Sequence, residues 1–272
     1  MFEAVMNFLK NETVLAALTW LSSIGAISVL VGLVLHNLKT IKFRVRLSRE
    51  LEREGIRNFY PDAQTYMEHK DHGKPAQYMR RANRKIAYVG FWLSHSVGLG
   101  GIVDTVRDLL AKGTEVTFVL MNPYSRNISN YCKAFFGFDK NYIESEFIRA
   151  LRPLYDFYAS PSLSPNDKKR FRILLHNMPI SAAAFLIDWD DDNNGRILLD
   201  SKIMGVEFSD GFGLELLANT KNRSSLSMYN RLKKSYLAFL EPNKTIPTDT
   251  FEVLLDGKTF DDVVSSIKSK YE

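Results

Sequence analysis

One apolar run limits what the chain can fold into more than any other feature. Between Val14 and His36 there is no Asp, Glu, Lys or Arg over 23 positions. A helix of this length is about 34 Å long, which matches the roughly 30 Å thickness of the hydrocarbon core of a bilayer. The sequence therefore predicts one transmembrane helix over residues 14–36, with almost all of the 272 residues on one side of the membrane.

The charges beside this run predict its orientation. Glu3, Lys10 and Glu12 precede it, whereas residues 37–57 carry seven basic and three acidic side chains. Basic residues near a span stay on the cytoplasmic side, so we expect a single-pass inner-membrane protein with residues 1–13 outside and the remainder in the cytoplasm. A cleaved signal peptide would need a basic start and a small-residue cleavage site, and the sequence offers neither. A buried core helix is the other alternative.

Small and polar residues share one side of the predicted span, opposite a side of Leu, Val and Ile. They are Ser22, Gly25, Ser28, Gly32 and His36. Small residues at this spacing let helices approach closely in lipid, so we expect the spans to self-associate. In a ring of helices the same residues would line a pore. Two simpler explanations stay open, since transmembrane helices are generally rich in glycine and His36 can lie at the membrane interface.

Composition indicates what kind of protein the residues outside the predicted span form. The chain is 45% hydrophobic and 25% charged, which is ordinary for a folded globular protein. Cys132 is the only cysteine, which excludes an intramolecular disulfide and a cysteine-based zinc site. The net charge of +5 suits either anionic lipid or a polyanionic ligand. We expect no cofactor.

An acidic stretch from Asp190 to Ile197 is a partial match to a calcium-binding loop. Asp, Asp and Asn stand at loop positions one, three and five, with Gly195 at position six. Position twelve is Ser201 instead of the glutamate that the calcium loop needs, and strands flank the stretch. A tight turn uses the same residue types. We therefore expect a turn and no metal site.

Hydrophobic patterning predicts an α/β domain over residues 57–241. Strand Lys85–Leu93, helix Gly101–Lys112 and strand Glu115–Met121 form a βαβ unit, and such a crossover implies parallel pairing. Residues 128–160 are predicted to be mainly helical. The further predicted elements are strands Phe171–His176, Ser181–Asp188 and Arg196–Leu199 and helix Met228–Leu240.

The segments on either side of this domain have their own predictions. Residues 37–56 are charged, with apolar residues spaced for one helix side, and predict a basic helical stalk beside the membrane. Residues 242–272 are predicted to be a C-terminal extension, with a short strand and a small helix between Phe251 and Tyr271.

The order of the domain resembles the phospholipase D-like superfamily. A strand ends in Asn122-Pro123, a helical insertion follows, and a later apolar strand ends in Asp188. The resemblance implies an α/β/α sandwich with a mixed, largely parallel sheet. Active members carry His-x-Lys, four further residues and Asp, in which the histidine attacks a phosphodiester, the lysine binds phosphate and the aspartate orients.

Two of these three roles are missing here. Asp188 matches the aspartate, but Ser181 stands at the histidine position and Ala183 at the lysine position. An alanine supplies no charge to a phosphate, and a serine without an adjacent base is a poor nucleophile. The resemblance therefore implies a degenerate member without catalytic residues.

A domain of this type can keep its cleft as a binding site. Ligands of open parallel sheets bind beyond the carboxyl ends of the strands, and aromatic rings with cations hold nucleotides or single-stranded nucleic acid. The residues at those ends are Phe91, Trp92, Ser94, His95, Asn122, Tyr124, Arg126, His176 and Asn177. Ser209 and Glu215 join them because they resemble polar and acidic residues that follow the family's motif.

Together these observations predict a membrane-anchored, non-catalytic effector, similar to transmembrane effectors of bacterial antiviral defence. We expect a homo-oligomer whose cytoplasmic domain binds a nucleotide, an oligonucleotide or a protein partner and thereby controls association of the spans. A partner enzyme would make or remove the ligand. Two alternatives stay open: a membrane-tethered phosphodiesterase or phospholipase that uses His176 or His95, and a passive anchor for a partner protein.

Overall fold

The computed structural model describes residues 45–61, 75–93, 101–201, 211–218, 227–241 and 249–271. The chain divides into two compact units, Met1–Leu51 and Glu52–Glu272. The predicted span Val14–His36, with Ser22, Gly25, Ser28, Gly32 and His36, lies outside the described residues. In the described ranges, no helix has both the length and the apolar character that crossing a membrane requires. Residues 45–54 are helical, within the predicted stalk.

One mixed sheet organises the second unit. Its described strands are β1 Ile56–Tyr60, β2 Lys85–Gly90, β3 Glu115–Met121, β4 Phe171–His176, β5 Ala182–Ile187, β6 Arg196–Ser201, β7 Gly213–Leu217 and β8 Thr250–Glu252. Their order across the sheet is β1-β7-β6-β5-β2-β3-β4-β8. The predicted α/β class, the mixed sheet and the parallel pairing of β2 with β3 are confirmed.

The expectation of a largely parallel sheet is wrong. Among the described strands, β3 pairs in parallel with β2 and with β4, whereas the other five pairings are antiparallel. The short turn between β5 and β6 explains much of the difference, because only antiparallel strands can be joined by so few residues. The prediction also omitted β7.

Helices cover both faces of the sheet. They are α1 Pro75–Met79, α2 Ile102–Ala111, α3 Arg126–Phe136, α4 Lys140–Ala159, α5 Pro165–Arg170, α6 Met228–Leu240 and α7 Phe260–Lys268. Alternate residues of a strand point to opposite faces. Phe118 of β3 accordingly packs in one core with Val106 of α2 and Phe147 of α4, and the adjacent Val119 packs in a second core with Tyr236 of α6.

The acidic stretch after β5 folds as a turn. The Oδ1 atom of Asp191 accepts the backbone N–H groups of Asn193 at 2.8 Å and Asn194 at 3.1 Å. The Asp190 carboxylate lies 2.8 Å from the Lys85 ammonium and 3.1 Å from the Arg84 guanidinium. The first two acidic side chains of the stretch therefore satisfy the backbone and neighbouring cations, as the turn interpretation requires.

Candidate ligand-binding site

Asp188, which matches the family's aspartate, holds the backbone of the neighbouring strand. Its Oδ1 accepts the N–H groups of Arg84 at 2.9 Å and Lys85 at 3.0 Å, and its Oδ2 accepts the N–H of Asn83 at 3.0 Å. Asp188 is 3% exposed. It follows the end of β5, whereas Ser181 precedes the start of that strand. The carboxylate therefore tethers the start of β2, at the opposite end of β5 from Ser181.

Ala183, at the family's lysine position, is 2% exposed and packs on β2. A Cβ atom built on Gly90 would lie 2.5 Å from the Ala183 Cβ and 2.7 Å from the Tyr88 hydroxyl. Burial raises the pKa of Tyr88 well above its ordinary value, and the Asp200 carboxylate raises it further, so the phenol stays neutral. A methyl group beside a neutral phenol thus replaces the expected cation. Ser181 is exposed.

Sequence reasoning missed the part that Tyr88 plays. The signal was available, because Tyr88 and Gly90 are two residues apart on one strand and therefore share a face. A large ring before a glycine on the same face indicates that the ring fills the space above the glycine. The motif that ends in Asp188 covers only β5, whereas Tyr88, whose ring fills this space, lies on β2.

His176 faces the other side of the sheet from Ala183. It is 0% exposed and its ring meets the ring of Phe239 on α6 edge to face, with centroids 4.9 Å apart. Within the described part of the chain, neither ring nitrogen has a hydrogen-bond partner. Burial lowers the pKa of His176 to about 4, against a smaller opposite effect from the backbone of Met178 and Gly90. His176 is therefore neutral and shielded from solvent.

The two predicted asparagines bind each other and the C-terminal segment. Asn122 donates from Nδ2 to the Asn177 Oδ1 at 2.9 Å, and its own Oδ1 accepts the N–H of Tyr124 at 3.1 Å. Asn177 donates to the Asp249 carboxylate and to the Tyr271 hydroxyl, the latter at 2.7 Å. These bonds connect the carboxyl ends of β3 and β4 to the segment that carries β8 and α7. The amides therefore organise this edge of the sheet.

The aromatic pair after β2 is part of the core. Phe91 and Trp92 are each 4% exposed. Trp92 donates its indole N–H to the carbonyl of Met121 at 2.8 Å, and Phe91 meets Phe136 of α3 edge to face at 5.7 Å. In this conformation both rings pack on protein atoms, so a base has no open ring face here.

Arg126 is the described residue of the predicted set that stays exposed at this edge, and the neighbouring Tyr124 is half-buried with its hydroxyl oxygen inside the protein. Arg126 is exposed and begins α3, and the side chain of the N-cap residue Ser125 makes no capping hydrogen bond. Tyr124 is half-buried, and burial, together with Glu144, raises its pKa. The Lys268 ammonium lies 5.0 Å from its ring centre. Backbone N–H groups at a helix start together with a guanidinium are suited to bind an anion.

Glu215 lies elsewhere in the sheet. It is 0% exposed in the middle of β7, where Asn58 donates to its carboxylate at 2.6 Å. Arg81 and Arg196 lie 3.7 Å and 3.5 Å from the same carboxylate. This ion-pair cluster joins β1, β6 and β7, apart from the ends of β2 to β4. The other predicted residues, Ser94, His95 and Ser209, lie outside the described residues.

Comparisons with known proteins give no family. No family model matches the chain, and no curated protein matches it. A solved phosphatidylserine synthase from Haemophilus influenzae Rd KW20 is 12% identical with a TM-score of 0.39, and the match covers 80% of this chain and 43% of that one. TrmBL2, an archaeal chromatin protein, is 11% identical with a TM-score of 0.36, over 80% of this chain and 66% of that one. At these scores neither similarity decides a family or an activity.

Proposed function

We propose that the chain is a membrane-anchored, non-catalytic effector of phospholipase D-like architecture. Its cytoplasmic domain would bind a phosphate-bearing ligand, a nucleotide or oligonucleotide, and so control how the spans associate. The observation that carries the non-catalytic part is the burial of Ala183 against Gly90 and beside Tyr88. Phosphodiester cleavage needs a cation on the phosphate and an activated nucleophile, and this position supplies a methyl group and a neutral phenol.

The rival enzyme hypothesis gains no support from the histidine that it uses. His176 is buried on the α6 face, whereas Ala183 faces the other core. A general base must come within hydrogen-bond reach of the proton that it removes. His176 packs against Phe239 on that face, and its ring makes no hydrogen bond to Ser181. The other histidine of that hypothesis, His95, lies outside the described residues.

The start of α3 is the place where we propose that the ligand phosphate binds. Arg126 supplies a guanidinium, a group that forms paired hydrogen bonds with phosphate oxygens. The first backbone N–H groups of α3 point out of the start of the helix, where they can donate to the same anion. The hydroxyl oxygen of Tyr124 is buried and has no hydrogen-bond partner within the described ranges, so it would have to turn outward to donate to the ligand. Lys268 lies near the same ring, with the Glu144 carboxylate 3.6 Å from its ammonium, so Arg126 carries the positive charge of the proposed site.

Coupling to the membrane would run through the spans. A ligand shifts an equilibrium between two arrangements only by its differential affinity for them, so we propose that the cytoplasmic domains of a homo-oligomer pack differently with and without ligand. Close contacts between Gly25 and Gly32 of neighbouring spans would then form in one arrangement, and a pore is one form that it can take. The setting that we propose, bacterial antiviral defence in the inner membrane with a partner enzyme for the ligand, rests on the sequence resemblance.

The experiment uses the full-length chain purified in mild detergent. Its mass is recorded, and co-purifying nucleotide is assayed by the absorbance ratio and mass spectrometry. We expect an oligomer that retains nucleotide in wild type and in Arg107→Ala, an exposed arginine of α2, and loss of nucleotide in Arg126→Ala. A ligand-free monomer whose behaviour is unchanged by Gly25→Leu and Gly32→Leu would establish the passive anchor instead.

A further inference from the structure

The turn between α3 and α4 carries a continuous group of aromatic rings, which we name the aromatic tip. Its members are Tyr131, Phe135, Phe136, Phe138 and Tyr142. Ring centres are 4.5 Å apart for Tyr131 and Phe135, 5.7 Å for Phe136 and Phe138, and 4.6 Å for Phe138 and Tyr142. The group therefore extends from the outside of the domain to Phe136, which contacts the core.

The local sequence explains why these rings are displayed. Gly137 has a φ of +71° and ends α3, while the N–H of Phe138 bonds to the carbonyl of Cys132 at 3.3 Å. The N–H of Gly137 itself bonds to the carbonyl of Lys133 at 3.1 Å, which is the αL helix ending and favours glycine at the left-handed position. Asp139 then caps α4 by accepting the N–H of Tyr142 at 2.7 Å. Both ends of the turn are thereby fixed.

The tip combines exposed rings with cations. Phe135 is 38% exposed and Tyr142 is 45% exposed. Lys133 is exposed and makes no ion pair with a described residue, and the Lys140 side chain is 68% exposed with its ammonium 3.7 Å from the Glu144 carboxylate. Monomeric soluble proteins usually bury large aromatic groups or show them singly. Two exposed rings, connected through the partly buried Phe136 and Phe138 and accompanied by the exposed Lys133, therefore indicate a surface that meets a partner.

We propose that the aromatic tip docks into the interface of an anionic bilayer, which gives the cytoplasmic domain a second attachment to the membrane. Amphipathic rings prefer the headgroup level of a membrane, and lysines beside them gain from anionic headgroups. The proposal rests on the proposed anchor, because an apolar run of 23 residues followed by a basic segment keeps the domain close to a bilayer.

Carboxylates near the tip favour lipid over nucleic acid as the partner. The Asp139 carboxylate belongs to the turn itself, and Glu144 and Glu146 lie on the first turns of α4. Glu146 pairs with Arg149 at 2.7 Å, and Glu144 lies 3.6 Å from the Lys268 ammonium. A strand of phosphates laid on the tip, at the opposite end of α3 from Arg126, would meet the exposed Asp139 carboxylate, whereas rings that insert between lipid headgroups need only the apolar outer edge of the tip.

The test places a fluorescent probe beside the tip in the full chain. Ala134→Cys is exposed next to Phe135. The native Cys132 stays unlabelled because it is buried, and burial raises the pKa of its thiol to about 12. Glu115→Cys is the matched control, since Glu115 is exposed at the start of β3 and α3 follows the end of that strand. Each labelled chain is reconstituted in nanodiscs of phosphatidylglycerol or phosphatidylcholine, with and without brominated acyl chains.

We expect the probe at position 134 to shift to the blue and to be quenched by brominated phosphatidylglycerol, with no change at position 115. In the Phe135→Ser/Tyr142→Ser double variant the quenching should fall about tenfold or more, because burial of two rings is lost. Lys133→Gln/Lys140→Gln should remove the preference for phosphatidylglycerol. Equal access of iodide to both probes, or a blue shift that depends on protein concentration and not on lipid, would overturn the proposal. The second result would assign the tip to contact between copies.

A separate measurement distinguishes failure of the anchor from failure of the tip. If alkaline carbonate extracts the chain from membranes, the proposed anchor is wrong. The labelled soluble chain is then mixed with preformed phosphatidylglycerol vesicles, and the same quenching at position 134 decides the tip proposal without the span.

Discussion

Ala183 on β5 packs so closely on Gly90 of β2 that a Cβ atom at Gly90 would lie 2.5 Å from the Ala183 Cβ. Active members of the superfamily that the sequence resembles carry a phosphate-binding lysine at the position of Ala183. Here the contact leaves room for the methyl group of Ala183 on β5 and for no side chain at Gly90 on β2. The position where Gly90 has no room for a Cβ atom thus lies against the position where catalysis would need a long cationic side chain.

Gly90→Ala tests this contact. The added methyl group would meet both Ala183 and the Tyr88 hydroxyl, so we expect a loss of about 1–3 kcal/mol in the free energy of unfolding. Adding Ala183→Gly to the same chain removes one of the two clashes and should restore part of the loss. Denaturant unfolding of the four chains of this double-mutant cycle gives the answer, and additive effects would show that the two residues do not touch.

Asp188→Ala tests the structural role of the aspartate. The substitution removes the acceptor of three backbone N–H groups at the start of β2, and we expect it to cost about 3 kcal/mol or more of stability. Asp190→Ala is the control, because Asp190 makes its ion pairs at the surface and should cost at most about 1 kcal/mol. Equal effects of the two substitutions, measured by urea unfolding, would contradict the assignment.

The accuracy of the sequence-based prediction differs between secondary-structure elements. Strand β3 and helix α6 are predicted to the residue, since each is a clear apolar pattern between a helix-ending or turn residue and a polar break. Strand β2 is three residues shorter than predicted because Leu93 adopts a φ of +50°, a backbone state that no apolar pattern reveals. Strand β7 was missed because Gly213 and Glu215 are poor strand formers that tertiary contacts hold in place.

The candidate site also has features that the sequence predicts and features that it does not. The absence of a cationic side chain at position 183 was visible in the sequence, because the identity of Ala183 alone decides it. The burial of Phe91 and Trp92 was not visible, because their partners are distant in the chain: Phe91 packs on Phe136 of α3, and Trp92 bonds to Met121, 29 positions later. Side chains at strand ends can face a ligand or a covering helix with the same local sequence, and only the long-range packing distinguishes these two cases.

Glu215→Ala tests the buried ion-pair cluster. Removal of this carboxylate leaves Arg81 and Arg196, whose side chains are each 25% exposed, facing one another without their anion. We expect a loss of about 3–5 kcal/mol. The matched control is Glu252→Ala, which breaks an exposed pair with Arg172 and should cost at most about 1 kcal/mol. Thermal or denaturant unfolding compares them, and a small effect at Glu215 would refute a role for the cluster in joining β1, β6 and β7.

His176 predicts how stability depends on pH. Its pKa is about 4 in the fold, against 6.5 as the ordinary value, so the unfolded chain binds more protons between these values. The contribution of His176 is therefore present above about pH 6.5 and declines as the pH falls toward 4. We expect a loss of about 2 kcal/mol between about pH 7 and pH 5 from this group.

His176→Leu should remove that part of the pH dependence while it keeps a side chain of similar burial. The measurement is urea unfolding of both chains at the two pH values. The quantity to compare is how much the free energy of unfolding changes between these pH values in each chain. A wild-type chain whose stability changes no more than that of the variant would contradict the buried, neutral histidine.

The most direct test of the central claim is a phosphodiester turnover assay on the full-length protein. The substrates are a generic aryl phosphodiester, a phospholipid and a short oligonucleotide, and the chains are wild type, Ser181→Ala, His95→Ala and His176→Ala. The account predicts that wild type hydrolyses none of them above the rate of the three variants. Turnover by wild type that any one of these substitutions abolishes in a correctly folded chain would contradict it.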